Sequence, residues 1–270
     1  MNRRTCFAKF ALAAAALPFA ALAHGQSDLL PTGQYPQFRT LSGLPGGGFG
    51  VRPDGSTGFD GAMSFSTPIG YSLTSGHYAV VGSNTSDNLL FRFPHLSGDH
   101  GHDDSNGKLD GLAGFSLGQF GSCTGTFVID SSALDHSFNF VYQPLIKVPN
   151  LGVAVGVQDI VGHRGIGGTG RPGADTNSQS LFTAATYSLP RGIFVSAGLG
   201  NRRFNHGFVN ASAPLIPRFK LVLEHDGFNV NEALAFDTGS FGFKDQKIQS
   251  SLMAGFVRSK YAFFSFNLSL

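Results

Sequence analysis

Residues 94–107 read PHLSGDHGHDDSNG and gather His95, Asp99, His100 and His102 beside Asp103 and Asp104. Imidazole nitrogens and carboxylate oxygens this close form a donor set for zinc, copper or nickel, and the Asp/Asn group could hold calcium. The spacing matches no standard zinc motif and lacks the full D-x-D-x-D-G series, so a solvated loop is the plainer reading. His95, Asp99, His100 and His102 are the metal candidates. A second chemical signature is GFSLG (114–118), which reproduces the G-x-S-x-G nucleophile elbow around Ser116. That elbow needs a strand, a sharp turn and a helix to expose its serine. Here it lies inside the alternating run LDGLAGFSLGQF with no helical pattern after it, so small residues facing an interior explain it better. GHRGIGGTGRPG (162–173) lacks the G-K-[ST] close of a phosphate loop, although its two arginines could attract an anion.

The most specific stretch is LVLEHDGFNVNEALAF (221–236). Lys220, Glu224 and Asp226 fall on the face opposite Phe219, Leu221 and Leu223, so strand alternation turns them inward. Inward charges are costly unless paired or wet. They are therefore expected to form a network with arginines such as Arg202 and Arg218, or to line a polar path.

The elements that must carry these residues follow from composition. Charged residues make up 13% of the 270, about half the usual share, while Gly numbers 37 and Phe 27. An apolar content of 41% argues against disorder. Arg3, Arg4 and Lys9 precede the apolar run Phe10–Ala20, and Ala21-Leu22-Ala23 fits a cleavage site, so residues 1–23 read as an export signal. Without them, 16 basic groups face 17 acidic ones, which excludes a general attraction to nucleic acid. Cys123 is then the remaining cysteine, so no internal disulfide can form. No later stretch is apolar for long enough to span a membrane as a helix, which leaves a closed β-barrel as the membrane solution.

Residues 24–60, with PTGQYP, LPGGGFG and RPDGSTG, read as a Gly/Pro-rich arm or plug. Residues 61–270 read as an antiparallel transmembrane outer-membrane β-barrel of 12–14 strands. The candidate strands are 61–66, 77–83, 88–93, 108–118, 123–130, 136–143, 152–160, 179–188, 192–200, 206–212, 218–225, 232–238, 247–257 and 261–270. Counted from the C-terminus, alternate connections are long and polar (94–107, 161–178, NRRFN, DGFNVN), while the others (IKVPNLG, LPR, APLIP) are short and contain Pro. That parity matches outer loops and periplasmic turns, with DTGSFGFKDQ long for an inner turn and RSK short for an outer loop. The closing YAFFSFNLSL then reads as a barrel-insertion signal, with Phe264, Phe266, Leu268 and Leu270 facing lipid.

GVAVGVQDIVG (152–162), the Gly-rich loop, SLFTAATYSL and LVLEHDGFNVNEALAF together resemble the YjbH-like exopolysaccharide-associated outer-membrane barrels. The matching positions are Gly156, Gln158, Asp159, Glu224, Asp226 and Asn231. The resemblance covers roughly residues 136–270 and implies a part in surface polysaccharide production or export, with no established enzymatic role. The expectation is therefore a non-enzymatic barrel without a cofactor, in the bacterial outer membrane, exchanging hydrophilic solutes through a lumen lined by the groups named above. Its partners would be outer-membrane lipid, the barrel-insertion machinery and a polysaccharide, not nucleic acid. The alternatives are an adhesive, ligand-binding surface barrel and a secreted soluble all-β protein.

Overall fold

The computed structural model describes residues 41–85, 107–129, 136–160, 179–243, 246–257 and 261–270. Twelve strands run through them: β1 Tyr78–Thr85, β2 Gly107–Ser116, β3 Ser122–Ile129, β4 His136–Gln143, β5 Leu151–Gln158, β6 Ser180–Leu189, β7 Ile193–Gly200, β8 Phe208–Ile216, β9 Phe219–His225, β10 Val230–Phe243, β11 Gln246–Val257 and β12 Tyr261–Ser269. Each pairs antiparallel with its neighbours in sequence, and β12 closes onto β1, so the sheet is a barrel without a free edge.

Alternation decides which side chains face in. In β12, Phe264 and Phe266 lie outside at 41% and 43% exposure, while Phe263, Ser265, Asn267 and Ser269 are buried inside. Leu268 and Leu270 share the outward parity and are half-buried. Around the barrel the outward positions are large and apolar, among them Val80, Leu109, Phe138, Leu181, Leu199 and Phe256. The inward ones mix small or polar side chains, such as Thr124, Thr186, Ser196, Ser212 and Ser251, with apolar ones that pack on the lumenal segment, such as Val81, Leu112, Phe194 and Val222. A continuous apolar exterior around an interior rich in polar groups is the reverse of a water-soluble protein's surface and fits a barrel set in lipid. Among the described residues no helix is long and apolar enough to cross a membrane.

The connections differ at the two ends. At the end holding Tyr78 they comprise residues 117–121, 144–150, 190–192, 217–218 and 244–245; at the other end lie 86–106, 130–135, 159–179, 201–207, 226–229 and 258–260. Short connections mark the periplasmic side. The expected inner connection DTGSFGFKDQ is mostly strand. β10 runs on through a bulge between Asp237 and Gly239 to Phe243, and β11 begins at Gln246. Outward Tyr78, Tyr142 and Tyr187 cluster at this inner end, and Tyr142 Oη donates to the Phe120 carbonyl at 2.6 Å. Phenols so placed suit a membrane–water boundary.

Residues 61–66 are not a strand of the wall. They lie inside the barrel, where isolated bridges join Gly47 to Ser64 and Val51 to Thr57 and Ala62. A short alternating stretch satisfies its backbone equally well in a lumen that offers side-chain donors and acceptors. The expected strand 88–93, the signal at 1–23 and the loops 94–107 and 161–178 lie outside the described residues.

Candidate functional site

The lumen is occupied by the chain itself. Leu41, Leu44, Phe49, Val51, Met63, Phe65, Ile69, Tyr71 and Leu73 are all 0–1% exposed. The segment crosses the barrel three times. Leu41 lies at the outer-loop end, where its carbonyl accepts from Lys108 Nζ at 2.7 Å. The chain descends past Gly48, whose carbonyl accepts from Asn267 Nδ2, to a hairpin at 52–60 near the inner mouth. It climbs to Phe65–Thr67 against Glu224, then descends past Thr186 and Thr124 to Ser75, beside Ser116 at the foot of β2. Two glycines let it graze the wall. A Cβ on Gly70 would strike the Gly152 carbonyl, and one on Gly152 would strike the Tyr71 ring.

Wall side chains bind the backbone of this segment. Glu224, fully buried, accepts from Phe65 N (3.0 Å), Ser66 N (2.8 Å), Ser66 Oγ (2.5 Å), Thr67 N (3.3 Å), Thr67 Oγ1 (2.9 Å) and Asn231 Nδ2 (2.7 Å). A carboxylate is the group suited to accept on every side, and six donors offset its desolvation. Arg203 donates to Gln158 Oε1 at 2.6 Å and to the Ser66 carbonyl at 2.7 Å, and Gln158 Nε2 in turn donates to the Ser42 carbonyl. Asn139 donates to the Gly43 carbonyl and Asn210 to that of Pro68. Lys220 donates to the Gly61 carbonyl and lies 5.7 and 5.6 Å from the ring centres of Phe59 and Phe194. Lys108 also pairs with Asp110 at 3.2 Å.

The sequence-based candidates divide accordingly. Lys220, Glu224, Gln158 and Asn231 all face the lumen and hold the segment or its partners. Asp226 is buried but caps its own turn, accepting from Phe228 N and Asn229 N. Asp159 is buried one residue beyond β5 with φ of 55°. This left-handed step, tolerable for Asp, breaks the parity it would share with Val155 and Val157, and its N–H donates to Asn139 Oδ1. The expected arginines lie at the two ends of the barrel. Arg202 donates to the Gln179 carbonyl, and Arg218 is exposed in the inner turn between β8 and β9. Arg203 is buried instead, because alternation stops at Gly200 and the short 3-10 turn Arg202–Phe204 rotates the next side chains. Of the residues that sequence reasoning missed, Asn139, Asn210 and Lys108 share one available signal, a polar side chain at an inward strand position, while Arg203 lies beyond the end of β7 and carries none. His95, Asp99, His100 and His102 lie outside the described residues, and no other metal-binding group of His, Cys, Asp or Glu occurs among the described ones.

At the inner mouth, Arg52 Nε donates to Asp60 at 2.8 Å across the hairpin. Burial pushes Asp60 up, but the Arg52 hydrogen bond and charge outweigh it and hold the carboxyl below its usual range. The same bond raises Arg52.

A closed antiparallel barrel with an apolar exterior and a polar, filled interior defines a membrane β-barrel of the outer-membrane type. No protein-family profile matches the sequence, and no curated protein matches it. Among solved structures, the chain is similar to outer membrane phospholipase A from Escherichia coli, at 10% identity over 72% of this chain and 89% of that one, with a TM-score of 0.35. It is also similar to an outer membrane channel from Pseudomonas putida F1, at 15% identity over 75% of this chain and 95% of that one, again with a TM-score of 0.35. The expectation of a non-enzymatic protein is corrected here. One of these barrels is an enzyme and the other a channel, so sharing the barrel does not exclude enzymatic activity.

Proposed function

We propose that the protein is an outer-membrane conduit closed at rest by its own residues 41–77, serving the passage of a hydrophilic solute in surface polysaccharide production or export. The observation that carries this reading is the match between wall and segment. Glu224, Arg203, Lys220, Lys108, Gln158 and Asn139 all bind the segment's backbone or its hydroxyls. These polar groups would face a solute only after the segment moves. The polysaccharide link is supported by the resemblance to the YjbH-like barrels. Of the positions that carry it, Gln158 and Glu224 contact the segment directly, and Asn231 donates to Ser66 Oγ as well as to Glu224.

Planar-bilayer conductance tests the reading. The full chain should be silent, and a variant lacking residues 41–76 should conduct while retaining the heat-dependent gel shift of a folded barrel. A silent, folded deletion variant would overturn passage and leave the barrel as a closed scaffold.

A further inference from the structure

Arg218 lies where a barrel ordinarily keeps a tight turn and nothing more. It follows β8 at the inner end with φ of 67°, a left-handed conformation that L residues seldom adopt without compensation. The compensation is visible. The bulge in β10 presents the Asp237 carbonyl, which accepts from Arg218 Nε at 2.9 Å. The guanidinium carbon sits 5.2 Å from the centre of the Phe236 ring, and that ring stacks on Phe219 at 4.8 Å. Gly239, at φ 108°, leaves room beside Nη2. The guanidinium is thus fixed in place on the outer, lipid-facing side of the barrel, since Phe219 and Phe236 occupy outward positions while Lys220 and Ala235 point inward.

Its two Nη nitrogens have no acceptor among the described residues. Among the described acids at this end, Asp237 Oδ1 accepts from Gly239 N, and Asp60 pairs with Arg52. Beside the guanidinium, Leu215 and Ile216 are 53% and 59% exposed. A fixed cation with free donors, set above apolar side chains at the inner membrane boundary, is complementary to one class of molecule.

We propose that Arg218 binds the phosphate of an inner-leaflet glycerophospholipid, with an acyl chain lying against Leu215, Ile216 and Phe236. The planar guanidinium offers the phosphodiester two parallel hydrogen bonds, which an ammonium cannot. The proposal rests on the membrane placement of the barrel and not on whether the lumen conducts.

Native mass spectrometry of the full chain, released from detergent with added phosphatidylglycerol, tests it. Arg218→Gln should weaken lipid retention roughly tenfold, and Arg218→Lys should restore part of it. Ile216→Ser should weaken retention with the cation intact. Diacylglycerol of the same chain length should not be retained, and inorganic phosphate at equal concentration should not displace the lipid. Retention by Arg218→Gln equal to the parent would overturn the site, as would unchanged retention by Ile216→Ser if the arginine variant fails to fold. Displacement by inorganic phosphate would make it a soluble-anion site and overturn the lipid assignment.

Discussion

Glu224 and Tyr71 are both buried, yet substituting them should have opposite effects. Glu224→Ala removes the acceptor for Phe65 N, Ser66 N and Thr67 N, whose carboxylate partner is fully buried. Leaving buried N–H and O–H donors without an acceptor costs about 1–3 kcal/mol for each one that stays unsatisfied. The Tyr71 hydroxyl is buried and has no hydrogen-bond partner among the described residues. Tyr71→Phe keeps the ring edge-on to Phe194 and removes an unsatisfied oxygen, so it should be neutral or stabilise by about 1 kcal/mol. Guanidinium unfolding of the two variants in lipid vesicles checks both, and a neutral Glu224→Ala would mean that the carboxylate does not hold the segment. The inward side of Lys220 and Glu224 was legible in the sequence, because strand alternation has period two. Arg203 was not, since it follows the end of β7, where no period applies.

At the scale of elements, the three crossings of the lumen carry a topological consequence. An odd number of passes from Ser75 at the inner mouth brings Leu41 to the outer-loop end, beside Lys108 and Gln158. An epitope tag inserted immediately before Leu41 should therefore be recognised by antibody on intact cells. Recognition only after the outer membrane is permeabilised would reverse the direction of threading. The strands themselves were largely readable, β12 above all: YAFFSFNLSL alternates to its end, with Phe264 and Phe266 outside and Ser265 and Asn267 inside. Residues 61–66 were not. Their apolar spacing suits a half-buried strand as well as a lumenal segment, and local pattern carries no information on which partner satisfies the backbone. Phe263 shows the same limit. Its place in the pattern is inward, but its partner there, Phe65 edge-on at 4.2 Å, comes from the lumenal segment and could not be read from the strand.

For the whole molecule, the closed sheet predicts a bulk property. With β12 bonded to β1 and no free edge, the folded form should resist SDS and migrate differently on gels before and after heating. The chain should also sediment with outer membranes and stay there through a urea wash. A soluble, urea-extractable chain with no heat shift would contradict the membrane barrel. Composition and alternation by themselves determined the class: low charge, no spanning helix, two-faced strands and alternating connection lengths leave a closed barrel in lipid, because each is a local or additive property of the chain. Only the tertiary structure decided what fills that barrel. The wall's Glu224, Arg203 and Gln158 meet Ser66 and Ser42 across more than a hundred residues of sequence, and a hydrogen bond between positions so distant leaves no periodic trace from which it could be read.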